Sequence, residues 1–163
     1  MVTRTIEGFI RKLKEDGHAR YASELRYIMA MSRERKNAIM FLSGMTITLL
    51  EHIIKFIAMP QSTDRSKWHG EIRGYLNRFN IRNKTPKKQP WLSLEYIQND
   101  LNDVLPSPEF ITNMIDVLST YPKKDRDTAL NLLKAHRTLK NLDVKLFFDS
   151  ENNLRISIND QVL

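Results

Sequence analysis

The residues best suited to chemistry in this chain are its histidines and the carboxylates beside them. The four histidines are His18, His52, His69 and His136. No two of them have the i, i+4 spacing of a helical metal site, and the HExxH zinc motif is absent. Antiparallel helices on either side of Pro60 would bring His52 and His69 together. Glu51 and Glu71 stand one and two residues from them, so one hypothesis is a His–Glu metal site or an acid/base pair in a motif-free hydrolase or nuclease.

The same histidines also have a structural interpretation. His52 then marks the polar edge of a buried helix, and His69 is an exposed side chain. Glu51 and Lys55 have the i, i+4 spacing with glutamate first, which adds about 0.2–0.5 kcal/mol to an exposed helix. The chain has no glycine-rich phosphate loop, no GxSxG motif and no cysteine. We therefore predict no metal and no cofactor, and a non-enzymatic protein is favoured over an enzyme.

A basic segment in the middle of the chain gives the main binding signal. Residues 61–90 carry eight lysines and arginines against two acidic residues, whereas residues 91–121 carry five acidic residues and no lysine or arginine. Phosphates attract such cations, and the interleaved Trp68, Tyr75 and Trp91 offer faces for unpaired bases. The predicted nucleic-acid contacts, to RNA or DNA, are Arg73, Arg78, Arg82, Lys84, Lys87, Lys88, Lys123 and Lys124.

Each part of this signal has an alternative interpretation. Trp68 and Tyr75 fall on one helical face, which is typical of core residues. A lysine-rich loop at 80–90 is often only solvated. The basic and acidic segments would also partly neutralise each other if they packed side by side. No helix-turn-helix spacing, RNA-binding sheet signature or zinc finger accompanies the charge.

Helical periodicity predicts the elements that position these residues. Apolar residues recur at i, i+3, i+4 and i+7 in Thr3–Asp16, which Gly17 should end, and again in Ala19–Met31. Ser32 is the expected N-cap of a long central helix spanning about 32–59, which a proline follows. Four more helices are predicted, at about 65–79, 93–105, 107–120 and 122–139.

The last part of the chain changes character. The segments DVKLFF (143–148) and LRISI (154–158) are rich in β-branched and aromatic residues and flank the turn-forming DSENN. They predict a β-hairpin with a five-residue loop, which needs helices, a partner's sheet or self-association to be stable. The predicted fold is therefore mainly α, a helical bundle around the long central helix (about 32–59) with a C-terminal β-hairpin (about 143–158).

Domain organisation and location follow from composition. We expect one domain over residues 1–163, with 140–163 as its hairpin extension. Glu51, His52 and Lys55 interrupt the longest apolar run, Ala38–Met59, and a charge at mid-membrane costs about 2.5–3.5 kcal/mol. That run is therefore predicted to be a buried helix, with no membrane partner. The N-terminal residues lack the apolar stretch of a signal peptide, and a cytoplasmic location is expected.

The stretches SRERKNAIMFLSGMTITLLEHIIKF and RSKWHGEIRGYLNRF resemble a bacterial family of small helical proteins, the domain of unknown function number twenty-nine. The matching positions run from His52 to Phe56, and then include Lys67, Trp68 and Ile72. Phe56 stands where the family has tryptophan, and Lys67 where it has serine. The resemblance covers residues 20–105 at most; it implies a helical bundle in a bacterial protein and brings no activity.

Three functional hypotheses follow. The first is a non-enzymatic binding protein whose basic surface engages nucleic acid. The second is a protein-interaction or regulatory module that docks a partner through its helical face or its hairpin. The third is the motif-free hydrolase or nuclease that uses His52 or His69.

Overall fold

The computed structural model describes residues 2–163, with side chains described from residue 5 onward. Within these residues, six helices precede a small antiparallel sheet. They are α1 (Val2–Glu15), α2 (Ala19–Ala58), α3 (Arg65–Arg82), α4 (Leu94–Val104), α5 (Pro108–Leu118), α6 (Lys123–Ala135), β1 (Val144–Phe148), β2 (Leu154–Ile158) and β3 (Gln161–Val162). The predicted mainly-α class with a C-terminal hairpin is confirmed.

Helix α2 is longer than predicted. The expected start of a new helix at Ser32 is wrong, because Ser32 is an exposed residue inside the continuous Ala19–Ala58. No glycine or proline stands between Ala19 and Ser43, and the leucine, arginine, methionine, alanine and glutamate around Ser32 are strong helix formers. A serine caps a helix only where the chain enters from a non-helical conformation.

The chain divides into two compact units, and α2 begins in the first and ends in the second. The first, Met1–Asn37, contains α1 and the start of α2. Gly17 ends α1 with φ of 81°, and the His18 N–H donates to the Leu13 carbonyl at 2.7 Å. This six-to-one bond is the Schellman arrangement, so the predicted stop at Gly17 is confirmed.

The second unit, Ala38–Leu163, contains the main hydrophobic core. The second half of α2 is buried along most of its length, and α3 to α6 each bury one apolar face against that core. The central residues are Leu49, Leu50, Ile53, Ile54, Ile72, Leu76, Phe79, Leu101, Phe110 and Met114. Helix α2 is also apolar enough to cross a membrane by length and composition, but 56% of its most apolar window is buried inside the protein, and a core helix meets the same test.

Local capping predictions hold for the middle helices. The Ser93 side chain accepts a hydrogen bond from the Tyr96 N–H, and the Ser107 side chain accepts one from the Phe110 N–H. Pro108 occupies the first helical position, as predicted. Helix α6, by contrast, ends at Ala135 rather than reaching Leu139, whose N–H donates to the Asn102 side chain at 2.9 Å.

The sheet has the order β1–β2–β3. Val144 pairs with Ile158 and Phe148 with Leu154, so the predicted hairpin and its five-residue loop are correct. The short β3 was not predicted. It returns through Asn159 and Asp160, which have φ of 50° and 61°, the left-handed conformation that asparagine and aspartate tolerate in two-residue turns.

One buried side chain joins this sheet to the helices. The Asn80 carboxamide accepts a hydrogen bond from the Leu154 N–H at 2.7 Å and donates one to the Leu154 carbonyl at 3.1 Å. Asn80 lies in the last turn of α3, which extends three residues beyond the predicted end at Phe79. This carboxamide therefore satisfies both backbone groups of the first residue of β2.

We expect the Asn80→Ala variant to lose about 1–3 kcal/mol of unfolding free energy, because two buried backbone groups of Leu154 lose their partners. Urea denaturation followed by circular dichroism measures the loss. Asn77→Ala, an exposed position on the same helix, is the matched control and should stay within about 0.5 kcal/mol of the parent protein. Equal effects of the two substitutions would contradict the role assigned to Asn80.

Candidate functional site

The lysine-rich loop predicted to bind nucleic acid is closed at its base by Asn83. This buried side chain accepts a hydrogen bond from the Leu92 N–H at 2.8 Å and donates to the Leu92 carbonyl at 3.4 Å. The Trp91 N–H donates to the Asn83 carbonyl at 3.1 Å, and Lys84 forms an isolated bridge with Pro90. Both ends of the loop are therefore fixed to the protein core.

The tip of the loop is a tight turn. The Thr85 N–H donates to the Gln89 carbonyl at 2.7 Å, and the Lys88 N–H donates to the Thr85 carbonyl at 2.9 Å. The Thr85 hydroxyl accepts from the Gln89 N–H, and Lys88 adopts a φ of 61°. Lys87 and Lys88 are exposed on this turn, so their cations project from an ordered backbone.

Two arginines of α3 approach the loop along one helical side. Arg78 and Arg82 are spaced i, i+4 and both are exposed. The Arg78 guanidinium lies 4.9 Å from the Tyr75 ring centroid, and the Arg82 guanidinium lies 4.7 Å from the Phe41 ring centroid. We call Arg78, Arg82, Lys84, Lys87 and Lys88 the basic loop surface.

A groove borders this surface. It is open to solvent, has a volume of about 440 Å³, and is lined by Asn77, Asn80, Ile81, Lys84, Asn153 and Arg155. The hairpin loop contributes to it, and the Asn152 side chain donates to the Lys88 carbonyl at 3.3 Å. Amides and cations together supply donors for phosphate and sugar oxygens.

The cations of the basic loop surface are not neutralised by carboxylates. Within residues 5–163, none of the eight predicted nucleic-acid contacts has a carboxylate oxygen within ion-pair distance. Arg155, on the far side of the groove, differs because Asp149 binds it at 2.9 Å. Hydrogen bonds from the Asn153 N–H and from Arg155 lower the pKa of Asp149 to about 2, so that carboxylate stays charged.

The other three predicted contacts belong to α3 and α6, outside the loop. Arg73 is exposed, but five residues of helix turn it about 140° away from Arg78. Lys123 and Lys124 begin α6 and are also exposed. In the described part of the chain, no hydrogen bond joins these three side chains to the basic loop surface.

The aromatic residues of the basic segment do not form a stacking platform. Trp68 is 2% exposed and belongs to the core, and Tyr75 and Trp91 are half-buried. The alternative interpretation of Trp68 and Tyr75 as core residues is therefore correct for Trp68. Base stacking needs an open ring face, which the buried Trp68 does not offer.

His52 lies in a buried ionic network between α2 and α3. Its Nε2 lies 2.5 Å from a Glu71 carboxylate oxygen. Lys55 donates to Glu51 at 2.8 Å, and the same Glu51 oxygen lies 3.6 Å from His52 Nδ1. The predicted closeness of His52 to Glu71 and the predicted Glu51–Lys55 pair are thus both present.

Burial and the nearby Lys55 cation hold the pKa of His52 below its usual value of 6.5, against the opposing effect of Glu71 and Glu51. A neutral imidazole that donates from Nε2 has its lone pair on Nδ1. That Nδ1 atom is buried and has no hydrogen-bond partner in residues 5–163. A general base must reach its substrate, and here the basic nitrogen is enclosed by protein.

His69 packs against an aromatic residue of α2. Its ring packs 6.2 Å from the Phe56 ring centroid, and its Nε2 is buried without a hydrogen-bond partner in the described chain. Among the described residues, no cluster of three or more histidine, aspartate or glutamate side chains could hold a metal ion. The expectation that His69 is exposed is wrong, because the residue is half-buried beside Phe56.

The structure also gathers residues that the sequence reasoning did not single out. In the first unit, a groove of about 740 Å³ between α1 and α2 is lined by Arg11, Lys14, Arg26 and Arg33, together with Glu7. The i, i+3 spacing of the first two cations and the i, i+7 spacing of the last two place each pair on one helical face. The spacing of these cations could have indicated the groove from the sequence alone. The net charge of a whole segment does not show which cations share a helical face.

Comparison with protein-family models, with curated proteins and with solved structures gives no match for this chain.

The buried network predicts a pH dependence of stability. Because the pKa of His52 is lower in the folded protein than in the unfolded chain, the unfolded chain binds the proton first as pH falls below 6.5. We expect stability to decrease from about pH 7.5 to about pH 5.5, by at most about 1.4 kcal/mol per pH unit from this group. Urea denaturation across this range measures the decrease.

The His52→Gln variant should show a smaller decrease, because glutamine donates to Glu71 without titrating. His18→Gln, at an exposed position, is the control and should retain the parent pH dependence. A decrease of unchanged size in His52→Gln would exclude His52 as its source.

Proposed function

We propose that this protein is a non-enzymatic nucleic-acid-binding protein whose basic loop surface contacts phosphate groups. The observation that carries the proposal is the set of exposed cations on an ordered loop without carboxylate partners. An unpaired lysine on a fixed turn attracts a phosphate, and the backbone of the turn needs little further ordering on binding. Each contact also releases counterions from the nucleic acid.

The same surface supports recognition of the backbone more than of the bases. The nearby aromatic rings are wholly or partly buried, and side-chain amides line the groove beside Lys84. Phosphate contacts set position and affinity and carry no sequence information by themselves. We therefore expect strong salt dependence and weak preference among sequences.

The enzymatic hypothesis receives less support from the surroundings of the two histidines. The Nδ1 atom of His52 is enclosed, and His69 packs on Phe56. Both arrangements suit residues that stabilise the junction of α2 and α3. The relationship of residues 20–105 to the bacterial helical family is likewise a proposal, and it assigns no chemistry to these histidines.

The Lys84→Ala/Lys87→Ala/Lys88→Ala variant tests the proposal. Fluorescence anisotropy with labelled single-stranded RNA and DNA of about 16 nucleotides, across a salt series, measures affinity and salt slope. Three lost phosphate contacts should reduce the slope of log K against log salt by about 2 for a single strand. The affinity should fall to a similar degree for unrelated sequences.

Lys134→Ala/Arg137→Ala/Lys140→Ala is the matched control, because it removes the same charge from exposed positions outside the basic loop surface. It should retain most of the parent affinity and slope. Equal weakening in both variants would show an effect of net charge alone, and it would contradict a binding site at the loop. Absence of binding by the parent protein at low salt would refute the proposed function.

A further inference from the structure

The first unit has two unlike faces. One is the basic groove between α1 and α2, to which Arg11 and Arg26 contribute. Phe9 stands two residues before Arg11, and Ile28 stands two residues after Arg26. Because two residues turn a helix by about 200°, each apolar residue lies on the side of its helix opposite the arginine. Phe9 is 55% exposed and Ile28 is 60% exposed. The hairpin of α1 and α2 is therefore basic on one side and apolar on the other.

The apolar side is most developed on α2. Tyr21, Tyr27 and Ile28 are 62%, 49% and 60% exposed. Tyr21, Glu24, Ile28 and Met31 are spaced three, four and three residues apart, which is the heptad spacing of a helix that packs along another helix. We call Tyr21, Tyr27, Ile28 and Met31 the α2 seam. A shallow apolar cavity lies along it beside Tyr27 and Ile28.

The interior of this unit is too small to stabilise it. Among its described apolar side chains only Ile10 and Ala22 are buried. Helix α1 has only 14 residues, a length that is marginal for an isolated helix in water. Four-helix bundles gain a continuous core from their facing apolar stripes, so a second surface over the α2 seam would enlarge the small core of this unit.

We propose that the α2 seam packs antiparallel against the same seam of a second copy of this chain, so that two α1–α2 hairpins form a four-helix bundle. The two-fold axis passes beside Tyr27. Arg20 then faces Glu34 of the second copy. Such an isologous interface uses one self-complementary surface twice.

The charges beside the seam identify a second copy as the occupant. Arg20 and Glu34 stand seven residues on either side of Tyr27, so a two-fold axis there brings opposite charges together at both ends. Arg20 also binds Glu24 of its own chain at 3.1 Å, an exposed i, i+4 pair that leaves its guanidinium open to a second carboxylate. The basic groove of each copy lies on the side of its hairpin away from the α2 seam. The four-helix bundle therefore leaves both grooves open.

Molar mass in solution tests this proposal on the full chain. Sedimentation equilibrium at micromolar concentrations should give twice the chain mass of 19.2 kDa. Ile28→Glu should halve the mass without loss of helical circular dichroism, because the side chain of Ile28 is 60% exposed. Ile115→Glu, an exposed apolar position on α5, is the control and should leave the mass doubled.

Charge reversal tests the antiparallel register. Arg20→Glu and Glu34→Arg should each weaken the dimer at low salt, and the double variant should recover part of the loss by restoring opposite charges. A parent protein that remains at 19.2 kDa would overturn the proposal. It would also be overturned by a monomer that binds anionic phosphatidylserine vesicles through Ile28, or by a double variant weaker than both single variants.

Discussion

The two hydrogen bonds between the Asn80 carboxamide and the Leu154 backbone are the constraint on which the second unit depends. A two-stranded hairpin is marginal in water, and this one carries only a two-residue third strand. Asn80 fixes the first residue of β2 to the last turn of α3. The groove beside Lys84 exists because that junction holds the hairpin loop against the lysine-rich loop.

The same device recurs where helices meet irregular chain. Asn83 binds both backbone groups of Leu92, and Asn102 binds the Leu139 N–H. A side-chain amide offers a donor and an acceptor, as a neighbouring strand would. These junctions satisfy backbone groups that neither a helix nor a sheet reaches. They also order the loop that carries Lys87 and Lys88, so those charges are arranged before any ligand arrives.

What the sequence predicts well in this chain is local. The caps at Ser93 and Ser107, the stop at Gly17 and the five-residue hairpin loop each depend on a few adjacent residues, and each was predicted correctly. The Asn80–Leu154 junction joins positions 74 residues apart, and no local pattern marks it. The predicted helix start at Ser32 is wrong because the strong helix formers on either side outweigh the capping preference of serine.

The acidic residues of 91–121 form no direct ion pair with the basic residues of 61–90 within residues 5–163. Asp100 instead accepts a hydrogen bond from Thr46. Like charges at Lys84, Lys87 and Lys88 repel in the free protein, so the Asn83 and Thr85 hydrogen bonds must offset that repulsion. In the function proposed above, the phosphates of a nucleic acid would supply the missing countercharge.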